Sequence, residues 1–403
     1  MTIAYPIERA WVSTGGTGAQ NYDEFADEAE ITAIIEAKPS SALGVEMPHR
    51  TPEAVAAGES FAAALPDAAA RLRQLQADGH FRDTEQAVAV YRISGADGTA
   101  YGLFCMIDTD QISTSADEPG LVIRNEDVFA EKVRERTALA EATGHLLSPV
   151  LLLQTGKGAE LQAALRSATE QLGAPAVTDT DPQGREHAVW LATASPLAEE
   201  LLALAGGGEL IVADGNHRSL AAQTGGLERF LAVVTTPDSV VIQPYNRLVA
   251  ELQLPVAELL ALLKARRATV EELPGRPEVP ISGGTIHVYA GGAGYAVQLP
   301  APPGASVVDR LDHAVVEQVL FRTTLGLDPG DKRITYVGGD YPASWLCDEV
   351  DAGRAALAVL IAPVTVDDFV AVNLDRQKMP RKSTWFTPKA RAGLVLAELP
   401  SKP

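Results

Sequence analysis

The chain is short of cysteine, of positive charge and of long apolar runs, and each shortage excludes something. Only Cys105 and Cys347 occur among 403 residues, which argues against a disulfide framework and fits a reducing cytoplasm. Neither has a Cys-x-x-Cys partner, so thiolate metal binding is excluded as well. Lysine and arginine number 33 against 53 aspartates and glutamates, a formal charge of −20. A general nucleic-acid binder needs the opposite balance to neutralise phosphates. A single anionic nucleotide stays open, because a local group of arginines governs that and not the whole-molecule sum. No apolar run reaches the ~18 residues that a membrane span needs. Near the start, Glu8 and Arg9 stand where a signal peptide would have an unbroken apolar stretch. The expectation is a cytoplasmic globular protein without nucleic-acid or membrane partners, long enough for one large core or two ordinary ones.

The most informative stretch is ELIVADGNHRSLAAQ, residues 209–223. Leu210, Ile211, Val212 and Ala213 read as a short buried strand, Asp214-Gly215-Asn216 as a turn, and the residues from His217 as a helix. A strand that empties through glycine into a helix leaves several backbone N–H groups pointing one way, and the helix dipole adds positive potential there. That suits a phosphate, with Arg218 able to offer a fork of donors. The alternative is a plain helix start, with Asp214 as cap and His217 and Arg218 on a solvated face.

A second informative stretch follows Val122. If a helix begins near Asn125, its 3.6-residue period puts Glu126, Phe129, Val133, Arg136 and Ala140 on one stripe. Charges on such a stripe are either a buried ion pair or the wall of a cleft. In the second case Glu126 is a general base, and Arg136 or Arg124 binds an acidic group. Elsewhere the pattern predicts a flexible glycine-rich loop over 14–18, a helix over 23–38 and a short strand over 43–47. It also predicts a helical region over 52–77 broken at Pro66, and a hairpin turning at Asp97-Gly98. Arg247 either lines the site or lies on the surface. A soft domain boundary falls near Leu252. In the tail, Trp385 and Phe386 read as anchors, while Lys382 and Ser383 either meet a phosphate or belong to a packed C-terminal hairpin whose basic residues are exposed.

Several of these segments resemble known ones. ADGNHRS resembles the ADGHHR signature of ParB-like and sulfiredoxin-like nucleotide-binding folds. In chain order, QNYDEF around Tyr22, ALGVEMP at 42–48, VIRNEDVFAEKVRER at 122–136, IQPYNRLV at 242–249 and KMPRKSTWFTPKARAGLVL at 378–396 resemble segments of the bacterial family catalogued as domain of unknown function 1015. Two positions depart from that family's pattern: Asn216 and Asn125 stand where it usually has histidine. An amide neither protonates near neutral pH nor coordinates metals well, though it still donates and accepts hydrogen bonds. A changed substrate or lost turnover would follow.

The resemblance implies an α/β or α+β fold, with a mixed sheet and a ParB/sulfiredoxin-like nucleotide-binding core embedded in a larger chain. Residues 1–252 would form that core region and 253–403 an α+β region closing the cleft. ParB-like folds with this motif include free-serine kinases. By likeness, the expected activity is phosphoryl transfer between ATP or ADP and a small hydroxylated substrate such as serine. Mg2+ is implied by the reaction type. Phosphate binding then falls to Gly215, Asn216, His217, Arg218, Lys382 and Ser383, catalysis to Asp214, Glu126 and His217, and substrate binding to Arg124, Arg136 and Arg247. Asp214 doubles as metal ligand or base. The alternatives are a phosphatase on a phosphorylated amino acid and a nucleotide-binding regulator without turnover. A homodimer is left open.

Overall fold

A computed structural model describes residues 3–400 apart from 26, 97, 114–119, 303 and 329. The chain forms two compact units, one of residues 1–240 with 388–403, the other of residues 241–387. The break therefore lies at Val240/Val241 and not near Leu252, and the last residues return to the first unit. The cause is the tail strand Val395–Glu398, which pairs with Ile7–Ser13 on one side and His145–Leu146 on the other.

The first unit is built on a 12-stranded sheet of mixed direction. Leu210–Asp214 runs parallel to Val122–Arg124 and antiparallel to Val150–Gln154, which in turn runs parallel to Arg229–Thr235. Leu210, Ile211 and Val212 are wholly buried, as an unbroken apolar run predicts for a strand covered on both faces. The expected hairpin is present, with Phe81–Gly95 antiparallel to Gly98–Asp108; Asp97 itself lies outside the described residues.

Local expectations are revised where tertiary contacts intervene. Residues 43–47 are not a strand: Leu43–Glu46 is a short helix with all four residues buried. The Ser41 hydroxyl accepts the Leu43 N–H at 3.3 Å and helps to start it. The helix expected over 23–38 begins only at Glu28, capped by Asp27, because residues 21–24 close a tight turn. The helix expected near Asn125 begins at Ala130. Ahead of it, residues 122–124 are held extended in the sheet. The glycine-rich loop is pinned, since Thr17 is fully buried and its hydroxyl donates to the Gly393 carbonyl at 2.6 Å.

The second unit has a six-stranded sheet whose pairings are all antiparallel. Alternate residues face opposite sides, as the two-residue period requires. Leu357, Val359 and Ile361 pack with Leu259, Leu263, Leu320 and Phe321, while Ala358 and Leu360 pack with Leu346 and Cys347. Trp385 and Phe386 are buried here, in a strand antiparallel to Val241–Gln243, so they anchor the segment as the sequence suggests. Among the described residues, no helix is long and apolar enough to cross a membrane.

The tail strand should carry a large share of the first unit's stability. Leu396 is wholly buried against Val45, Leu72, Phe81 and Leu147. Leu396→Ala should lower the unfolding free energy by about 2–5 kcal/mol, read as a shift of the urea midpoint at constant m-value. A shift inside experimental error would show that the strand is only appended.

Candidate functional site

Strand Leu210–Asp214 ends at Gly215, whose φ of 96° is left-handed, and helix Asn216–Thr224 starts without a side-chain cap. Glycine is required for two reasons. The conformation strains any L side chain, and a Cβ here would come within 3.1 Å of Arg218 Nε. The turn thus folds the Arg218 guanidinium back over its own backbone.

Arg218 Nη2 lies 2.5 Å from Asp214 Oδ2. Its Nη1 donates to the Pro149 carbonyl and, at 3.4 Å, to Asn21 Oδ1. The second oxygen of Asp214 meets Lys389 Nζ at 3.3 Å. Burial alone would depress the Arg218 pKa, but Asp214, followed by Asp23, Tyr22 and Glu46, drives it above the ordinary value. The geometry corrects the reading of Arg218 as a fork open to a phosphate. Its Nη donors are engaged internally, and it acts as the counter-ion of Asp214. Lys389, which the sequence reading passed over, is the cation on the other side of that carboxylate.

Asn21 to Glu24 forms a reciprocal turn. The Glu24 N–H donates to the Asn21 carbonyl at 3.1 Å, and the Asn21 N–H donates to Glu24 Oε1 at 2.9 Å. The Asn21 amide also donates to the Ala390 carbonyl at 3.3 Å, tying the turn to the tail that carries Lys389. Burial pushes the Glu24 carboxyl up to about 7. Lys389 opposes the rise, Asp214 and Asp23 add to it, and the Asn21 N–H opposes it. A buried carboxyl with that pKa is suited to proton transfer near neutrality. Neither Glu24 nor Lys389 was singled out from the sequence, although both lie in segments quoted there, QNYDEF and TPKARAG.

The remaining expected residues distribute as follows. Arg136 is buried, its guanidinium 4.1 Å from the Tyr22 ring and 5.0 Å from the Phe61 ring, and Nη1 donates to the Glu46 carbonyl at 3.2 Å. Tyr22 feels both Arg136 and Arg218, so Arg136 belongs to the same polar region. Glu126 is half-buried in the loop before the helix and not on a helical stripe. Arg124 ends a strand, and burial lowers its pKa against the pull of Asp127. His217 Nε2 accepts the Phe129 N–H at 3.1 Å, and the two rings stack. That nitrogen therefore helps to secure the start of helix Ala130–Thr143. Asn216 donates to Asn125 Oδ1 at 2.6 Å and accepts the Asn125 N–H at 3.3 Å. The two positions where histidine was expected thus touch each other.

Arg247, Lys382 and Ser383 belong to the second unit. Arg247 is not a surface residue. It is fully buried, donates to the carbonyls of Tyr245 and Asn246 at 2.9 and 3.2 Å, and faces Glu317 at 3.5 Å. Lys382 has a left-handed φ of 52° and its ammonium lies 5.6 Å from the Tyr245 ring centre, while Ser383 is fully buried.

The donor set does not fit a protein-held Mg2+. Both oxygens of Asp214 face cations, and among the described residues no group of three or more His, Cys, Asp or Glu is arranged to hold a metal.

Glu24 makes a pH prediction. Its pKa is raised from 4.5 to about 7, so the folded chain binds this proton more tightly than the unfolded one. The resulting stabilisation is complete below the unfolded pKa and is lost as pH rises through the folded one. Denaturant titrations should therefore show stability falling between about pH 5 and about pH 8, with a smaller fall in Glu24→Gln. An identical slope in the variant would remove Glu24 as the titrating group.

No curated protein matches the sequence. Among solved structures, a free serine kinase in complex with AMP is similar at 12% identity and a TM-score of 0.38, over 70% of this chain and 87% of that one. SbnI with a C-terminal truncation from Staphylococcus aureus is similar at 13% identity and a TM-score of 0.40, over 72% and 85%. A conserved hypothetical protein from Pyrococcus furiosus is similar at 12% identity and a TM-score of 0.37, over 70% and 90%. The family model described as "Protein of unknown function (DUF1015)" matches residues 17–314, and the chain belongs to that family.

Proposed function

We propose that the first unit moves a phosphoryl group between a nucleotide, ATP or ADP, and a small hydroxylated substrate such as serine or a related amino acid. The observation that carries this reading is the Glu24 carboxyl, buried and raised to about 7 beside Lys389 and Asp214. Glu24 takes the place that the sequence reading gave to Glu126. Its carboxylate accepts the substrate's hydroxyl proton as that oxygen forms a bond to the terminal phosphorus. The bond from phosphorus to the bridging oxygen breaks, and the shortened nucleotide leaves with its electron pair. Lys389 supplies positive charge for the transferring group, and the uncapped helix start at Gly215 supplies N–H groups and dipole. Asp214 and Arg218 hold these parts in place. Run backwards onto water, the same constellation is a phosphatase.

A second reading, a nucleotide-binding regulator without turnover, is favoured by the Asn125–Asn216 pair, because two amides stand where proton-transferring groups were expected. Calorimetry with ATP and ADP, combined with mass-spectrometric detection of phosphorylated L-serine, separates the readings. The transferase reading expects binding and product. Lys389→Ala should weaken nucleotide binding by about tenfold or more, and Glu24→Gln should bind normally while turnover drops by about 100-fold or more. Binding without product selects the regulator. Absence of nucleotide binding eliminates both.

A further inference from the structure

The first unit buries a second polar chain, built on Asp181, His187 and Tyr91. Tyr91 and His187 are each 1% exposed and Asp181 is 6% exposed. His187 lies opposite Ile93 on neighbouring strands, which puts it diagonally across from Tyr91 on one face of the sheet. His187 Nε2 is 3.1 Å from Asp181 Oδ2, and its Nδ1 is 2.5 Å from the Tyr91 hydroxyl. Burial pushes the Asp181 carboxyl up, but hydrogen bonds from His187 and Arg185 outweigh it and hold the group below its usual range. An ionised carboxylate can only accept. The imidazole proton is therefore on Nε2, Nδ1 accepts the Tyr91 O–H, and the phenolic oxygen keeps its lone pairs for another donor. That donor is the Arg391 backbone N–H, at 3.3 Å.

The peptide group between Ala390 and Arg391 is thus gripped at both ends, because the Ala390 carbonyl accepts the Asn21 amide at 3.3 Å. The bridge between the tail and Ala19 comes one residue later, at Ala392. On the other side of this peptide stands Lys389, its Nζ 3.3 Å from Asp214 Oδ1 and its side chain 10% exposed. We propose that Tyr91 is a positioning residue for Lys389. Together with His187 and Asp181 it fixes the Ala390–Arg391 peptide and so aims the ammonium at the Asp214 carboxylate. Tyr91→Phe removes both the O–H that His187 accepts and the oxygen that Arg391 meets, two buried hydrogen bonds lost with one atom. The consequence for a nucleotide rests on the phosphoryl-transfer reading, whereas the placement of Lys389 does not.

The placement is read without nucleotide by treating the full chain with limiting acetic anhydride and comparing Lys389 with the exposed Lys157 by mass spectrometry. Tyr91→Phe should raise the ratio of Lys389 to Lys157 acetylation by about fivefold or more. Asp181→Asn keeps the hydroxyl but removes the charge that orients the imidazole, and should raise the ratio in the same direction. Leu165→Ala opens a cavity at a wholly buried position and should lower stability while leaving the ratio unchanged. An unchanged ratio in either folded relay variant, or an equal rise in Leu165→Ala, overturns the proposal. In calorimetry, Tyr91→Phe should weaken ADP by about tenfold or more, and adding it to Lys389→Ala should cost little further. Fully additive losses also overturn the proposal. A raised ratio in a chain that takes no ADP supports the placement and removes the transfer reading.

Discussion

Asp214 and Arg218 are four residues apart across a glycine turn, and their contact joins every part of the first unit's polar centre. Through it the strand end, the helix start, the Pro149 carbonyl and the Asn21 turn meet at one guanidinium. The side chains have little water around them, so the pair is stable only because the remaining donors and acceptors are also met. Lys389 completes the set on the other carboxylate oxygen. Removing one partner would leave a buried charge uncompensated, which is more damaging than the net worth of the pair suggests. The Gly215 conformation and the placement of Asn21 are both compatible with keeping this pair closed.

A chain of charge −20 concentrates cations here. Arg136, Arg218 and Lys389 lie among Asp23, Glu24, Glu46 and Asp214, as their mutual electrostatic effects show. The carboxylates do not all respond alike. Asp214 has two cations in contact, whereas burial dominates at Glu24 and drives its pKa up. One acid of this centre is ion-paired at both oxygens and the other is desolvated. Nearby, Arg391 meets Asp179 at 3.2 Å, and a Cβ at Gly18 would collide with that aspartate. The tail is therefore held immediately after Lys389, at Ala390 and Arg391.

The second unit collects a separate polar interior. Arg247, Glu317 and His313 are brought together on the strand Asn246–Val249 and the helical segment that follows Leu311, part of which is π-helix. Burial, with Arg247 nearby, lowers the His313 pKa to about 3, so it stays neutral, with its Nε2 against the Tyr245 carbonyl at 3.2 Å. Its motif segments, IQPYNRLV and MPRKST, are thus explained in part by burial around one arginine.

Much was readable from residue order alone. The apolar run before Asp214, the glycine turn, the helix after it and the aromatic anchors of the tail all depend on local pattern, the mixed α/β class followed from the family resemblance, and the structure contains each. The family was equally legible, since its segments recur in order. What residue order left undecided was which polar groups come together. Glu24 and Lys389 are 365 positions apart, and Asn125 and Asn216 are 91 apart. Their roles come from burial and from strand pairing that returns the tail to the first sheet. Helix starts at Glu28 and Ala130 were displaced for the same reason, because turns and sheet registers set by distant strands override a local period. Periodicity reports which face of an element is apolar. The partner of a buried charge is decided only when the chain closes and water is removed, since pairing and desolvation energies exist only in the folded state.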